Sequence, residues 1–200
     1  MNKFAFAVLM TASAIAATPA AAQQVTGTVN VTGTVAGRCS VIESGLEKTS
    51  FSGTIDLGRL DAADGTLRSE LTSATSANPA DAKKVTARVV CTSSNPTIGV
   101  SATKLAIAGA ADAGTGYANS IDYVAALRVK TASATNPLAE VKFDTQNNSA
   151  AVTAQLGSRI AGGTADNVEV NVSNLRTAAG SVLNQGTYNS VISLSITPTL

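Results

Sequence analysis

The chain has 200 residues, with 14 Lys and Arg against 13 Asp and Glu, no histidine and only 4% aromatic residues. Without histidine, neither a Ser-His-Asp nor a Cys-His nucleophile can be assembled, and zinc sites built from His and Cys are excluded as well. A chain this close to neutral also lacks the clustered cations that nucleic acid or an anionic membrane demands, its one adjacent basic pair being Lys83-Lys84.

Residues 1–22 carry Lys3, the apolar run Phe4-Ala5-Phe6-Ala7-Val8-Leu9-Met10 and the small residues Ala20-Ala21-Ala22. That layout predicts a secretory signal peptide cleaved after Ala22. The apolar core is too short to span a bilayer, and no later stretch offers about 20 uninterrupted apolar residues, so export without membrane insertion is expected. Loss of Lys3 leaves 13 charges of each sign. What remains is long enough for one domain with a core.

The next segment, 23–35, holds the most regular pattern in the chain. From Val25 to Val35 the odd positions are Val25, Gly27, Val29, Val31, Gly33 and Val35, and the even ones are Thr or Asn. Strand side chains alternate between faces, so one face is apolar or bare and the other polar.

Residues 36–200 read as one all-β domain, rich in Thr, Val, Ser and Ala with scattered Gly, Asn and Asp for turns. Cys39 and Cys91 are its only cysteines. After export a single intramolecular bridge is the simplest outcome, two buried free thiols being the alternative. Strands are expected over 54–58, over 85–91 with Val85, Ala87, Val89 and Cys91 on one face, and over 98–103, 121–129, 140–143, 152–156 and 168–172. Many short strands at this spacing predict a sandwich or barrel. Ala-rich stretches at 74–82 and 106–113 could each hold a helical turn. The last expected strand spans 188–196, with Tyr188, Ile192, Leu194 and Ile196 on one face and Pro198 ending its pairing.

Two acidic groupings are candidate sites. Asp61 and Asp64 with Gly65 faintly suggest a calcium loop, but the spacing misses an EF-hand and the later Glu is lacking, so a turn is expected. Glu43 with Glu47, or Asp112 with Asp122, could form a carboxylate pair, yet nothing in the sequence sets their separation, and solvated surface charge is expected. No catalytic residue, cofactor or metal ligand is assigned.

Three motifs together resemble archaic chaperone-usher pilins and the related spore coat protein U domain. They are Val25-Thr26-Gly27-Thr28-Val29-Asn30-Val31 followed by Gly37-Arg38-Cys39-Ser40-Val41; Ile55-Asp56-Leu57-Gly58, where Leu57 replaces the family's Phe; and Gly186-Thr187-Tyr188 leading into Val191-Ile192-Ser193-Leu194-Ser195-Ile196. The resemblance covers nearly all of the chain beyond residue 22. It implies an incomplete immunoglobulin-like β-sandwich, lacking its last strand, with residues 23–35 as an N-terminal donor strand for a neighbouring subunit. It further implies a periplasmic chaperone that first fills the open groove, an outer-membrane usher that exchanges it for that donor strand, and a surface pilus of identical or related subunits serving adhesion and biofilm formation. The stretch 162–184, rich in Gly, Ala and Asn, departs from the pattern and reads as an insertion that adds a surface hairpin. Other readings are a complete monomeric sandwich with 25–35 as its first strand, a spore-coat-U-like coat or matrix protein or tip adhesin of the same fold, and a secreted enzyme or inhibitor, for which the catalytic inventory is missing.

Overall fold

The computed structural model describes residues 26–72, 84–110 and 113–199. The expected signal peptide, Val25, the whole 74–82 stretch and Asp112 lie outside them. By its internal contacts the chain divides into Met1–Thr34 and Val35–Leu200. In the first unit, residues 26–34 form no strand and are exposed.

The second unit is all-β. Its strands are β1 (Cys39–Glu43), β2 (Leu46–Lys48), β3 (Val85–Ala87), β4 (Val89–Cys91), β5 (Thr97–Ala102), β6 (Leu105–Ile107), β7 (Tyr117–Ala118), β8 (Ser120–Lys130), β9 (Leu138–Asp144), β10 (Val152–Gln155), β11 (Val168–Arg176), β12 (Val182–Leu183), β13 (Tyr188–Asn189) and β14 (Ile192–Thr197). A single 3-10 turn, Ser69–Leu71, is the one helical element among the described residues.

The largest sheet runs β13-β6-β8-β11-β3, with β9 also pairing β8. A second runs β10-β5-β14 and a third β2-β1-β4. All these pairings are antiparallel, the short β7-β12 pair alone being parallel. β5 packs across β8 and β9, and β10 across β9, the face-to-face arrangement of a sandwich. Between the layers, Ile98, Val100, Ile121, Leu127, Val129, Val168 and Leu175 are almost wholly excluded from solvent.

Local chemistry explains the main breaks. Ser44 and Gly45 both have positive φ, 52° and 79°, and join β1 to β2 with Glu43 opposite Leu46. Two central residues of this kind make the tight hairpin turn whose twist matches its strands. The expected single strand over 85–91 is divided at Arg88, and its halves enter different sheets. Asn167 holds that switch point. Its backbone N–H donates to Ala87 O at 3.1 Å, its Oδ1 accepts from Val89 N at 2.8 Å, and its Nδ2 donates to Val89 O at 2.8 Å. A buried amide thus replaces the ladder that the crossing chain gives up.

Three expectations need correction. Residues 162–184 are no surface insertion, because β11 lies inside them and pairs with both β8 and β3. Over 106–113 there is no helical turn among the described residues: Leu105–Ile107 is a strand, and Ala110 N closes a turn onto Ile107 O. The expected strand 188–196 is two, since β13 pairs β6 whereas β14 pairs β5.

Candidate functional site

The 51–58 segment was expected to contain a strand, and its side chains alternate as one would. Phe51, Ile55 and Leu57 turn inward against the core, while Ser52, Thr54 and Asp56 stay exposed. Yet it belongs to no ladder, and among the described residues no hydrogen bond reaches the backbone of 51–57. Across from it lies β14, whose only strand partner among the described residues is β5. An antiparallel edge strand directs half of its N–H and C=O groups away from its neighbour, so β14 also presents unpaired backbone.

Between these two walls runs a cleft of about 590 Å³. Its floor is apolar, formed by Val85, Leu105, Val170 and Val172 with the ring of Tyr123, and Ile55, Leu57, Ile192 and Leu194 line its walls. Gly53 is required where the first wall crosses β3: a Cβ there would lie 2.5 Å from Val85 Cγ1.

The two phenol hydroxyls of the cleft are already bonded. The Tyr123 hydroxyl donates to Ser190 Oγ at 2.6 Å, which in turn donates to Thr103 O at 2.7 Å. Tyr188 Oη shares its proton between Ala118 O at 2.9 Å and Asn184 O at 3.0 Å. Burial pushes both phenols above their ordinary pKa, only partly offset by these bonds, so both stay neutral. The one carboxylate in the lining, Asp56, accepts from Gly58 N at 2.8 Å. What the cleft offers a ligand is therefore apolar surface flanked by backbone donors and acceptors that have no partner among the described residues. Nothing in that lining resembles an acid-base pair.

The remaining candidates fall elsewhere. Cys39 and Cys91 are directly opposite on β1 and β4 and form a disulfide. Tyr188, Ile192, Leu194 and Ile196 all pack against the core, the first three also lining the cleft. Val29, Val31 and Val35 are 87%, 92% and 83% exposed, and a Cβ added at Gly27 or Gly33 would meet nothing within 4 Å beyond its chain neighbours. Asp61, Asp64 and Gly65 form a turn: Asp64 Oδ1 accepts from Thr66 N at 3.0 Å, and Gly65 has a φ of 80°. Glu43 bonds Lys48, Glu47 bonds Ser40, and Asp122 lies 3.1 Å from Lys104 Nζ, all as surface pairs. Among the described residues no group of His, Cys, Asp and Glu could hold a metal, and no helix is long and apolar enough to cross a membrane.

The sequence did not single out Phe51, Gly53, Tyr123 or Val172 as site residues. Their role depends on which strand lies beside which, and only the alternation Phe51, Gly53, Ile55, Leu57 offered a local signal. No protein-family model, curated protein or solved structure matches this chain.

Proposed function

We propose that the chain is a structural subunit of a bacterial surface fibre, polymerised when residues 25–35 of one copy enter the cleft of the next. The observation that carries this reading is the cleft itself: an apolar trough whose two flanking backbones have, among the described residues, no hydrogen-bond partners on its side. An inserted strand satisfies both edges at once, and its alternate side chains cover the floor. The chain holds a segment of that character. Val29 and Val31 stand exposed beside Gly27 and Gly33, and placing such valines in an apolar pocket contributes about 1.5 to 3 kcal/mol each before ordering costs.

Because donor and acceptor surfaces differ, each contact leaves one free strand and one free cleft, so assembly is head-to-tail and open-ended. An unfilled cleft of this kind is an aggregation hazard, which is the physical reason for a periplasmic chaperone to occupy it until an outer-membrane usher exchanges it for the next subunit's strand. On this reading residues 1–22 direct export, the fibre stands on the cell surface, and its work is adhesion and biofilm formation, not catalysis.

The test is the state of the protein recovered from the cell surface. In unheated detergent it is expected to run as a ladder that collapses to one band on boiling. A single monomer band before heating contradicts the reading.

A further inference from the structure

Residues 25–35 read Val-Thr-Gly-Thr-Val-Asn-Val-Thr-Gly-Thr-Val, the same in both directions about Asn30. If the strand is turned end for end within the plane of a sheet, Val25 takes the place of Val35, Gly27 of Gly33 and Val29 of Val31. The threonines exchange likewise on the other face. Since the strand repeat is two residues and the centre falls on a residue, the reversal does not change which face points inward. The pattern of apolar and bare positions offered to an acceptor is thus identical in the two orientations.

The cleft is equally indifferent, because its walls run in opposite directions. Gly53 sits against Val85, which pairs with Val170 on β11. From there the first wall leads through Leu60 to residues 65–67, where Thr66 bridges Val182 and Leu183 N donates to Gly65 O. That is the end marked by Tyr188, whose hydroxyl reaches Asn184 O, and by the Tyr123–Ser190 bond. The second wall starts at this end and runs away from it through Ile192 to Leu194. A strand laid between antiparallel walls is antiparallel to one and parallel to the other whichever way it points, so both orientations pair one edge of each kind.

The attachment to the body is not symmetric. Immediately after Val35, Thr92 Oγ1 donates to Ala36 O at 2.9 Å and accepts from Arg38 N at 2.8 Å. Thr92 N donates back to Arg38 O at 2.9 Å, and Cys39 is tied to Cys91. No slack separates the strand from a domain too large to enter a cleft.

Building on the fibre reading, we propose that the side chains of residues 25–35 carry no directional information, and that strand direction in the polymer is imposed only by the short attachment at 36–39. Cut free of that attachment, the same strand occupies the cleft in both orientations.

The test uses the full-length chain carrying Val29→Asp and Val31→Asp, whose own extension no longer fills a cleft. It is mixed with a synthetic peptide of residues 23–35 in which a photoreactive benzoylphenylalanine replaces either Thr28 or Thr32. Reversal exchanges these two positions, about 13 Å apart along a strand. Each peptide is expected to raise the melting temperature and to label both ends of the cleft, residues 188–190 and 194–197, in yields within about threefold of one another. In fibres of otherwise native chain with the probe at position 28, one end alone is expected to be labelled. A peptide that binds but labels a single end, with more than about tenfold preference, overturns the inference and leaves the fibre reading standing. Labelling of both ends in fibres overturns it too. A peptide that neither binds nor stabilises overturns both.

Discussion

Single residues carry the sharpest consequences. On the proposed fibre reading, Val29→Asp or Val31→Asp places a charge where an apolar trough must accept it, at a cost of several kcal/mol. Each is expected to abolish polymerisation while leaving the subunit soluble and chaperone-bound, checked by co-purification of the chaperone and loss of the detergent ladder. Asn167 is a different kind of residue, with a structural role at the switch between β3 and β4. Asn167→Ala removes the buried bonds to Val89 N and O and leaves those groups unpaired, so about 2 to 4 kcal/mol of stability is expected to be lost in thermal or denaturant unfolding. A loss under about 0.5 kcal/mol would show that water replaces the amide there.

Among the elements, those that pair along their length were legible in the sequence. β8 and β11 alternate buried and less buried positions over much of their length, and β5 and β10 fall almost where apolar runs and turn residues put them. The misreadings have physical causes. Residues 162–184 read as an insertion because Gly, Ala and Asn flank them, whereas β11 within them is held by neighbours remote in sequence. Tyr188, Ile192, Leu194 and Ile196 share one alternating face, but Ser190 between them is drawn off by Thr103 and Tyr123, which divides the strand. The cleft was only half legible: the apolar alternation of its two walls is local, but the lack of a partner between them is a property of topology. One charged ladder also belongs to this scale. Arg128 on β8 bonds Glu140 on β9 at 2.8 Å and Glu169 on β11 at 3.3 Å. Burial raises the pKa of both carboxyls, but their bonds to Arg128 and to Lys142 or Lys84 outweigh it and hold them below the usual range. A folded-state value below the unfolded one contributes stability that is fully present above about pH 4.5 and disappears as pH falls through the folded value. Acid unfolding is therefore expected to begin below about pH 4.5, and Arg128→Ala is expected to cost about 1 kcal/mol at pH 7 and nearly nothing at pH 2. An equal cost at both pH values would mean that the guanidinium acts by packing alone.

For the whole molecule, the disulfide and the cleft make opposite contributions. Cys39 and Cys91 are 52 positions apart, and closing a loop of that size stabilises the fold by roughly 4 kcal/mol in the chain-entropy account. Against this, a trough flanked by unpaired edges leaves the subunit short of stability until something fills it. Cys39→Ser with Cys91→Ser is accordingly expected to lower the yield of exported subunit and its melting temperature, and the polymer is expected to lose less than the isolated subunit because strand insertion supplies part of what is missing. The central claim is that the inserted strand comes from another copy. Its most direct measurement is photo-crosslinking from position 30 in fibres assembled from equal amounts of isotopically heavy and light subunits, with mass spectrometry of the joined peptides. About half of the links between the extension and residues 188–197 are expected to join heavy to light, the random mixing of a strand given to a neighbour. Links confined to heavy-heavy and light-light pairs would mean that each chain fills its own cleft, and the account would be wrong.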